Sequence, residues 1–221
     1  MATVDIVVLA SGRGSNLSAI FEAIDAGRCD ARVVGLVSDK PGAGALALAE
    51  ARGVPTRVVP LPRGADRDAW NVALADAVSD LSAQRDVLLV LAGFMRILGR
   101  PLLERFPGRL INVHPSLLPS FTGHDAPRQA VAAGVRLTGC TVHVVDDGVD
   151  TGPILAQAAV PVLPTDDADA LHARIQVAEH ALLPTVIHWV AQGLLTLAPP
   201  TLTQAPCAAG YYTAPRFDDP A

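Results

Sequence analysis

Val4-Asp5-Ile6-Val7-Val8-Leu9-Ala10-Ser11-Gly12-Arg13-Gly14-Ser15-Asn16-Leu17 is the stretch that decides the fold. Residues 4–10 form a nearly unbroken β-branched and aliphatic run, which suits a strand buried on both faces. Two glycines later the pattern changes: Leu17, Ile20, Phe21 and Ile24 recur at the spacing of one helical face, predicting a helix over residues 16–26. Working outward, the same alternation predicts strands at residues 32–38, 56–59 and 87–92, with helices at 43–52 and 66–83. Such alternation of apolar strands and helices makes the chain α/β: a Rossmann-like, open, mostly parallel twisted sheet with helices on both faces.

Beyond residue 100 the rhythm shifts. Residues 110–114 read as a short strand, and 137–145 and 154–162 as longer strands joined by an Asp/Gly-rich connection, so the later strands are expected to be partly antiparallel. Leu171, Ile175, Ala178, Leu182, Val186 and Trp189 mark a long helix over residues 168–192. After Gly193 the chain turns rich in Pro, Ala and Thr. With no internal repeat and no interdomain linker, residues 1–198 are expected to form a single domain and 199–221 a loose C-terminal tail.

Composition narrows the function. The chain has 221 residues, of which 50% are hydrophobic, enough for a sizeable core. A net charge of −5, without a long block of either sign, argues against a nucleic-acid or membrane-surface binder. Cys29, Cys140 and Cys207 lie far apart with no CxxC pair, favouring neither a disulfide framework nor a cysteine metal site. The N-terminus lacks the features of a signal peptide, and the longest apolar stretch is too short to cross a bilayer, so a cytoplasmic protein is expected.

Three segments carry chemistry. The turn Ser11-Gly12-Arg13-Gly14-Ser15-Asn16 leads from a strand into a helix whose free N–H groups and positive dipole end suit an anion, with Ser15 or Asn16 expected to cap it. It matches neither the dinucleotide fingerprint nor the P-loop, so an ordinary glycine-rich turn remains the alternative. In residues 110–119, Asn112 and His114 project from one face of a strand while Ile111 and Val113 project from the other. Pro115 ends the pairing at the strand's C-terminal edge, where open α/β sheets bind ligands. An amide and an imidazole side by side can donate to an oxygen that gains negative charge, as in acyl transfer. The alternative is a backbone-bonded asparagine beside a packed histidine. Asp146-Asp147-Gly148-Val149-Asp150-Thr151-Gly152-Pro153 lacks the spacing of a calcium loop, and Gln157 stands where its closing Glu would be. An aspartate of this turn could orient an imidazolium, or the turn could simply be solvated.

Together these segments resemble the phosphoribosylglycinamide formyltransferase family. The resemblance rests on residues 11–17, on Ala92-Gly93-Phe94-Met95-Arg96-Ile97-Leu98, on Ile111-Asn112-Val113-His114-Pro115-Ser116-Leu117-Leu118-Pro119, and on Asp150-Thr151-Gly152-Pro153-Ile154. These stand in family order and spacing, and the likeness runs from about residue 4 to 195. It implies a one-carbon transfer from 10-formyltetrahydrofolate, as cosubstrate rather than tightly bound cofactor, to the amine of glycinamide ribonucleotide. It further implies Asn112, His114 and Asp150 as catalytic residues, with Gly14, Ser15 and Asn16 on the substrate phosphate and Glu179 on its ribose. Phe94, Met95, Arg96, Ile97 and Leu98 would line the folate pocket, helped by Val145 and Asp147 of the acidic turn, with Arg67 near the benzoylglutamate. Neither metal, nucleic acid nor membrane is implied, and the resemblance leaves room for a homodimer. One departure stands out: Thr122 precedes Gly123 where many relatives carry proline, and the histidines that follow in them are missing, so His124 reads as an exposed loop residue.

Three rivals fit less well. A methionyl-tRNA formyltransferase is expected to add a basic RNA-binding domain after the residue-193 region, and a formyltetrahydrofolate hydrolase a regulatory domain before the first strand. A nucleotide-binding module without chemistry has no need of Asn112, His114 and Asp150 together.

Overall fold

The computed structural model describes residues 3–83, 85–197 and 200–202. One seven-stranded sheet organises it, built from β1 (Val4–Leu9), β2 (Ala31–Ser38), β3 (Thr56–Val58), β4 (Val87–Leu91), β5 (Leu110–His114), β6 (Leu137–Val144) and β7 (Ile154–Pro161) in the order β3-β2-β1-β4-β5-β6-β7. The pairs from β3 through β5 are parallel, whereas β6 and β7 join antiparallel. The mixed sheet expected from the sequence is therefore present.

Strand alternation divides the core in two. On β1, Ile6 and Val8 face a cluster shared with α1 (Ser15–Asp25), α2 (Gly44–Ala51), α5 (Ala126–Ala133) and α6 (Ala168–Ala191). Val7 and Leu9 face the opposite cluster, built on α3 (Arg67–Ser82) and α4 (Arg100–Arg105). Both layers bury leucines completely, among them Leu36, Leu74, Leu88 and Leu89, and each such side chain is worth about 1.5–3 kcal/mol over exposure. That two-sided burial is why the strands read as continuous apolar runs.

Two helices escape periodicity. α4 has six residues and α5 eight, each with a proline at its first positions, and neither is long enough to show a repeating face. A third difference lies at the end of the chain. Pro200–Leu202, inside the expected tail, forms β9 and pairs antiparallel with β8 (Leu195–Leu197). Residues 203–221 of that tail lie outside the described residues. Among the described residues no helix is long and apolar enough to cross a membrane.

Topology assembles the loops that carry the motifs. β1, β4 and β5 run parallel, so the loops after them open at the same sheet edge. The acidic turn behaves differently: Val145 donates its N–H to Leu110 at the start of β5, so the turn leaves β6 at the far end of that strand. It then folds back to bring Asp150 beside His114.

Candidate active site

Asn112 and His114 lie side by side on β5, opposite His143 and Thr141 of β6. The antiparallel register thus sets a second pair of polar side chains against the first. His114 is 5% exposed, and its Nε2–H donates to the carbonyl of Phe121 at 2.8 Å. Its Nδ1 stands 3.3 Å from Asp150 Oδ2, which also accepts the Gly123 N–H at 2.8 Å. His143 donates from Nδ1 to the Val144 carbonyl at 3.0 Å. Its Nε2 lies 3.2 Å from the Asn112 amide nitrogen and 3.6 Å from Asp150 Oδ1. The structure therefore gathers Asn112, His114 and Asp150 into one cluster and adds His143 to it.

Asp150 is shaped for this place. It adopts a left-handed backbone (φ 55°), uncommon for a residue with a side chain. Two residues on, a Cβ at Gly152 would collide with the Val144 carbonyl, so only glycine closes the turn. Burial pushes the Asp150 carboxyl up, but the neighbouring His143 ring, the hydrogen bond from the Gly123 N–H and the His114 ring together hold it below the ordinary aspartate range. It is an anion built to face an imidazolium.

The glycine turn after β1 forms a separate floor. Gly14, with φ 88°, is the N-cap of α1, and a Cβ there would press within 2.9 Å of Ala45 and Leu48. No side chain caps this helix, which corrects the expectation that Ser15 or Asn16 does so. Asn16 instead reaches across to α6, its amide donating to Glu179 Oε2 at 3.0 Å. The first α1 hydrogen bond runs from Ser18 N–H to the Gly14 carbonyl, so the N–H groups of Ser15, Asn16 and Leu17 precede the helix ladder and suit an anion. Burial raises the Glu179 carboxyl to about 7, against the pull of the Asn16 amide.

The loop after β4 has a buried root and an exposed rim. Phe94 and Leu98 are buried, Phe94 stacking on Trp70 with ring centroids 6.5 Å apart, whereas Met95 and Ile97 are 64% and 57% exposed. Main-chain ties fix its shape: the Met95 N–H donates to Ser11 Oγ at 2.9 Å, and Arg67 donates to the Ile97 carbonyl at 3.1 Å. Arg96 turns away to the fully buried Asp39 at 2.6 Å, leaving its backbone as the part that can face a ligand. Val145 is half-buried and Asp147 exposed, both on the acidic turn.

Sequence reasoning missed His143, Ser11 and Asp39. A signal for His143 existed: Thr141 and His143 are polar at period two, with apolar Val142 and Val144 between and after them, the same signature that marked Asn112 and His114. For Asp39 nothing short of the fold would have served. His124 is exposed, contributing only its carbonyl to Gln129. A further cleft, at the N-terminal end of β4, is lined by Arg85, Arg105 and Arg109, but each guanidinium is already held by a carboxylate: Asp5, Asp76 and Asp86.

Comparison with known proteins identifies the family. The formyl transferase family profile matches residues 4–187. The chain is 47% identical over 198 residues to phosphoribosylglycinamide formyltransferase of Mycobacterium tuberculosis H37Rv, covering 90% of both. Its identity to the trifunctional purine biosynthetic protein adenosine-3 of Drosophila melanogaster is 43% over 201 residues, and there the chain spans only 15% of the relative's length. Among solved structures, glycinamide ribonucleotide transformylase 1 from Symbiobacterium toebii superposes with a TM-score of 0.83 at 43% identity, covering 88% of this chain and 90% of that one.

Proposed function

Because this chain belongs to the formyl transferase family, we propose that it moves the formyl group of 10-formyltetrahydrofolate onto the amine of glycinamide ribonucleotide. The products are formylglycinamide ribonucleotide and tetrahydrofolate, in purine biosynthesis. The observation that carries this reading is the cluster of Asn112, His114 and Asp150, with Asp150 3.3 Å from the imidazole.

The amine attacks the formyl carbon, and its carbonyl oxygen becomes an oxyanion. Protonated His114 and the Asn112 amide donate to that oxygen, the placement from which oxyanion holes draw most of their effect. Asp150 keeps His114 charged and relays the amine proton toward the leaving nitrogen of the folate. The substrate phosphate sits on the backbone of Gly14, Ser15 and Asn16, and the ribose on Glu179. The pterin lies along residues 94–98 with Val145 and Asp147, and Arg67 meets the folate's benzoylglutamate. The folate comes and goes as a cosubstrate, and the enzyme works in the cytoplasm on small molecules.

A spectrophotometric transfer assay tests this. Deformylation of a 10-formylfolate that depends on glycinamide ribonucleotide is the expected result. Deformylation without any acceptor would point to a hydrolase, and none at all to a binding module.

A further inference from the structure

The Nε2 proton of His114 is already spoken for. A carbonyl oxygen only accepts, so the 2.8 Å contact with Phe121 places the proton of the neutral ring on Nε2 and leaves Nδ1 bare. That bare nitrogen faces the Asp150 carboxylate at 3.3 Å, so a proton added there would lie between the ring and that carboxylate. Within the proposed transfer reaction, a neutral His114 held this way has no hydrogen left to offer an oxyanion.

We propose that Phe121 is a positioning residue: its main-chain carbonyl holds the Nε2 proton of His114, so that Nδ1 is turned toward Asp150 and a proton on Nδ1 is the one shared between that carboxylate and the oxyanion. This rests on the transferase reading above. The local structure is organised around the contact. Phe121 has φ 57°, a left-handed conformation that costs a side-chain-bearing residue energy and persists only where its surroundings enforce it. Its ring is part-buried against the core, anchoring the turn. The flanking carbonyls point elsewhere: Ser120's accepts from Ser116 Oγ at 2.5 Å, and Thr122's from Gln129 at 3.2 Å. Only the Phe121 carbonyl is aimed at the imidazole. Two residues later the Gly123 N–H holds Asp150, so one short loop sets both the ring and the carboxylate.

The titratable groups around His114 are few. Asp150 faces it from the acidic turn, and His143 stands behind Asp150 on β6. The loop side offers main chain, and among the described residues no other carboxylate lies within ion-pairing distance.

Two measurements test the proposal. In the ligand-free protein, long-range proton–nitrogen NMR above the His114 titration should show a protonated Nε2 and a bare Nδ1. The reverse tautomer would overturn the proposal, and because no substrate is present the result is independent of the transferase reading. The second measurement compares Phe121→Gly with Phe121→Pro. Glycine accepts φ 57° and keeps the carbonyl, whereas proline fixes φ near about −65° and withdraws it. Phe121→Pro should lose about a hundredfold in kcat with little change in nucleotide KM. Phe121→Gly should lose about tenfold at most. Equal losses in both variants would overturn the proposal, and the tautomer stands as a separate readout should Phe121→Pro prove poorly folded.

Discussion

Two carboxylates, one beside His114 and one beside Asn16, sit under opposite conditions. Asp150 loses water on entering its turn but gains the Gly123 N–H as donor and the rings of His143 and His114 as neighbours, and its pKa falls. Glu179 is buried more deeply against α1 and meets one donor, the Asn16 amide, and its pKa climbs to about 7. Asn16 itself keeps a buried carbonyl oxygen with no protein partner. The contrast shows what each end is built for. Around Asp150 the protein has supplied the donors, so the anion is ready before substrate arrives. At Asn16 and Glu179 the donors are incomplete, and the hydroxyls of a bound ribose would complete them.

The comparison breaks most visibly at the catalytic end. His114→Ala should lower turnover about a hundred- to a thousandfold while nucleotide binding, followed by thermal shift, survives. Asp150→Asn should be at least as damaging, because the imidazolium loses its counter-charge. Near-normal kcat in either variant would return this cluster to a structural role.

These two ends differed in how far the sequence revealed them. Asn112 and His114 were legible because period-two projection on an apolar strand is a local rule. So were Gly14 and the strand-turn-helix around it. The Asp150 contact was not, since the acidic turn leaves β6 beside Leu110 and returns to the site by a path that only the antiparallel register fixes. Asn16 illustrates a conflict of scales: local chemistry makes it a helix cap, yet Glu179, 163 positions away, claims its amide. The α4 and α5 helices were lost because six and eight residues cannot display a helical period. His143 was within reach, since it projects at period two with Thr141, but no local motif set it apart.

At the ribose end, Glu179→Gln should raise the KM for nucleotide about tenfold and change kcat little, a loss of one good hydrogen bond to a charged acceptor. The same variant has a signature in stability. A carboxyl whose folded pKa is raised makes the folded state bind more protons than the unfolded one, so stability falls as pH rises from about 4.5 to about 7 and is flat above. Asp150, with a depressed pKa, acts in the other direction and lower down: its contribution is present above the unfolded aspartate value and is lost as pH falls below about 3.8. Melting temperatures of the wild type should therefore decline across the upper window, and Glu179→Gln should remove much of that decline and melt several degrees higher at pH 8. An equal slope in both proteins would exclude Glu179 as its source.

The smallest expected effect lies outside both carboxylates and serves as their control. Arg67 is exposed at the start of α3 and gives one hydrogen bond to the Ile97 carbonyl at 3.1 Å. A bond of that kind is worth about 0.5–1.5 kcal/mol net, and a contact with the proposed folate tail in solvent would add little more. Arg67→Ala should therefore raise the KM for the formyl donor by about two- to tenfold, with kcat, nucleotide KM and the melting profile between pH 4.5 and 7 all unchanged. If kcat fell by two orders of magnitude instead, Arg67 would be holding the whole loop of residues 94–98 in place. The carboxylate contrast would then be only part of the catalytic framework, because a main-chain tie at the rim would be setting the position of the reacting folate.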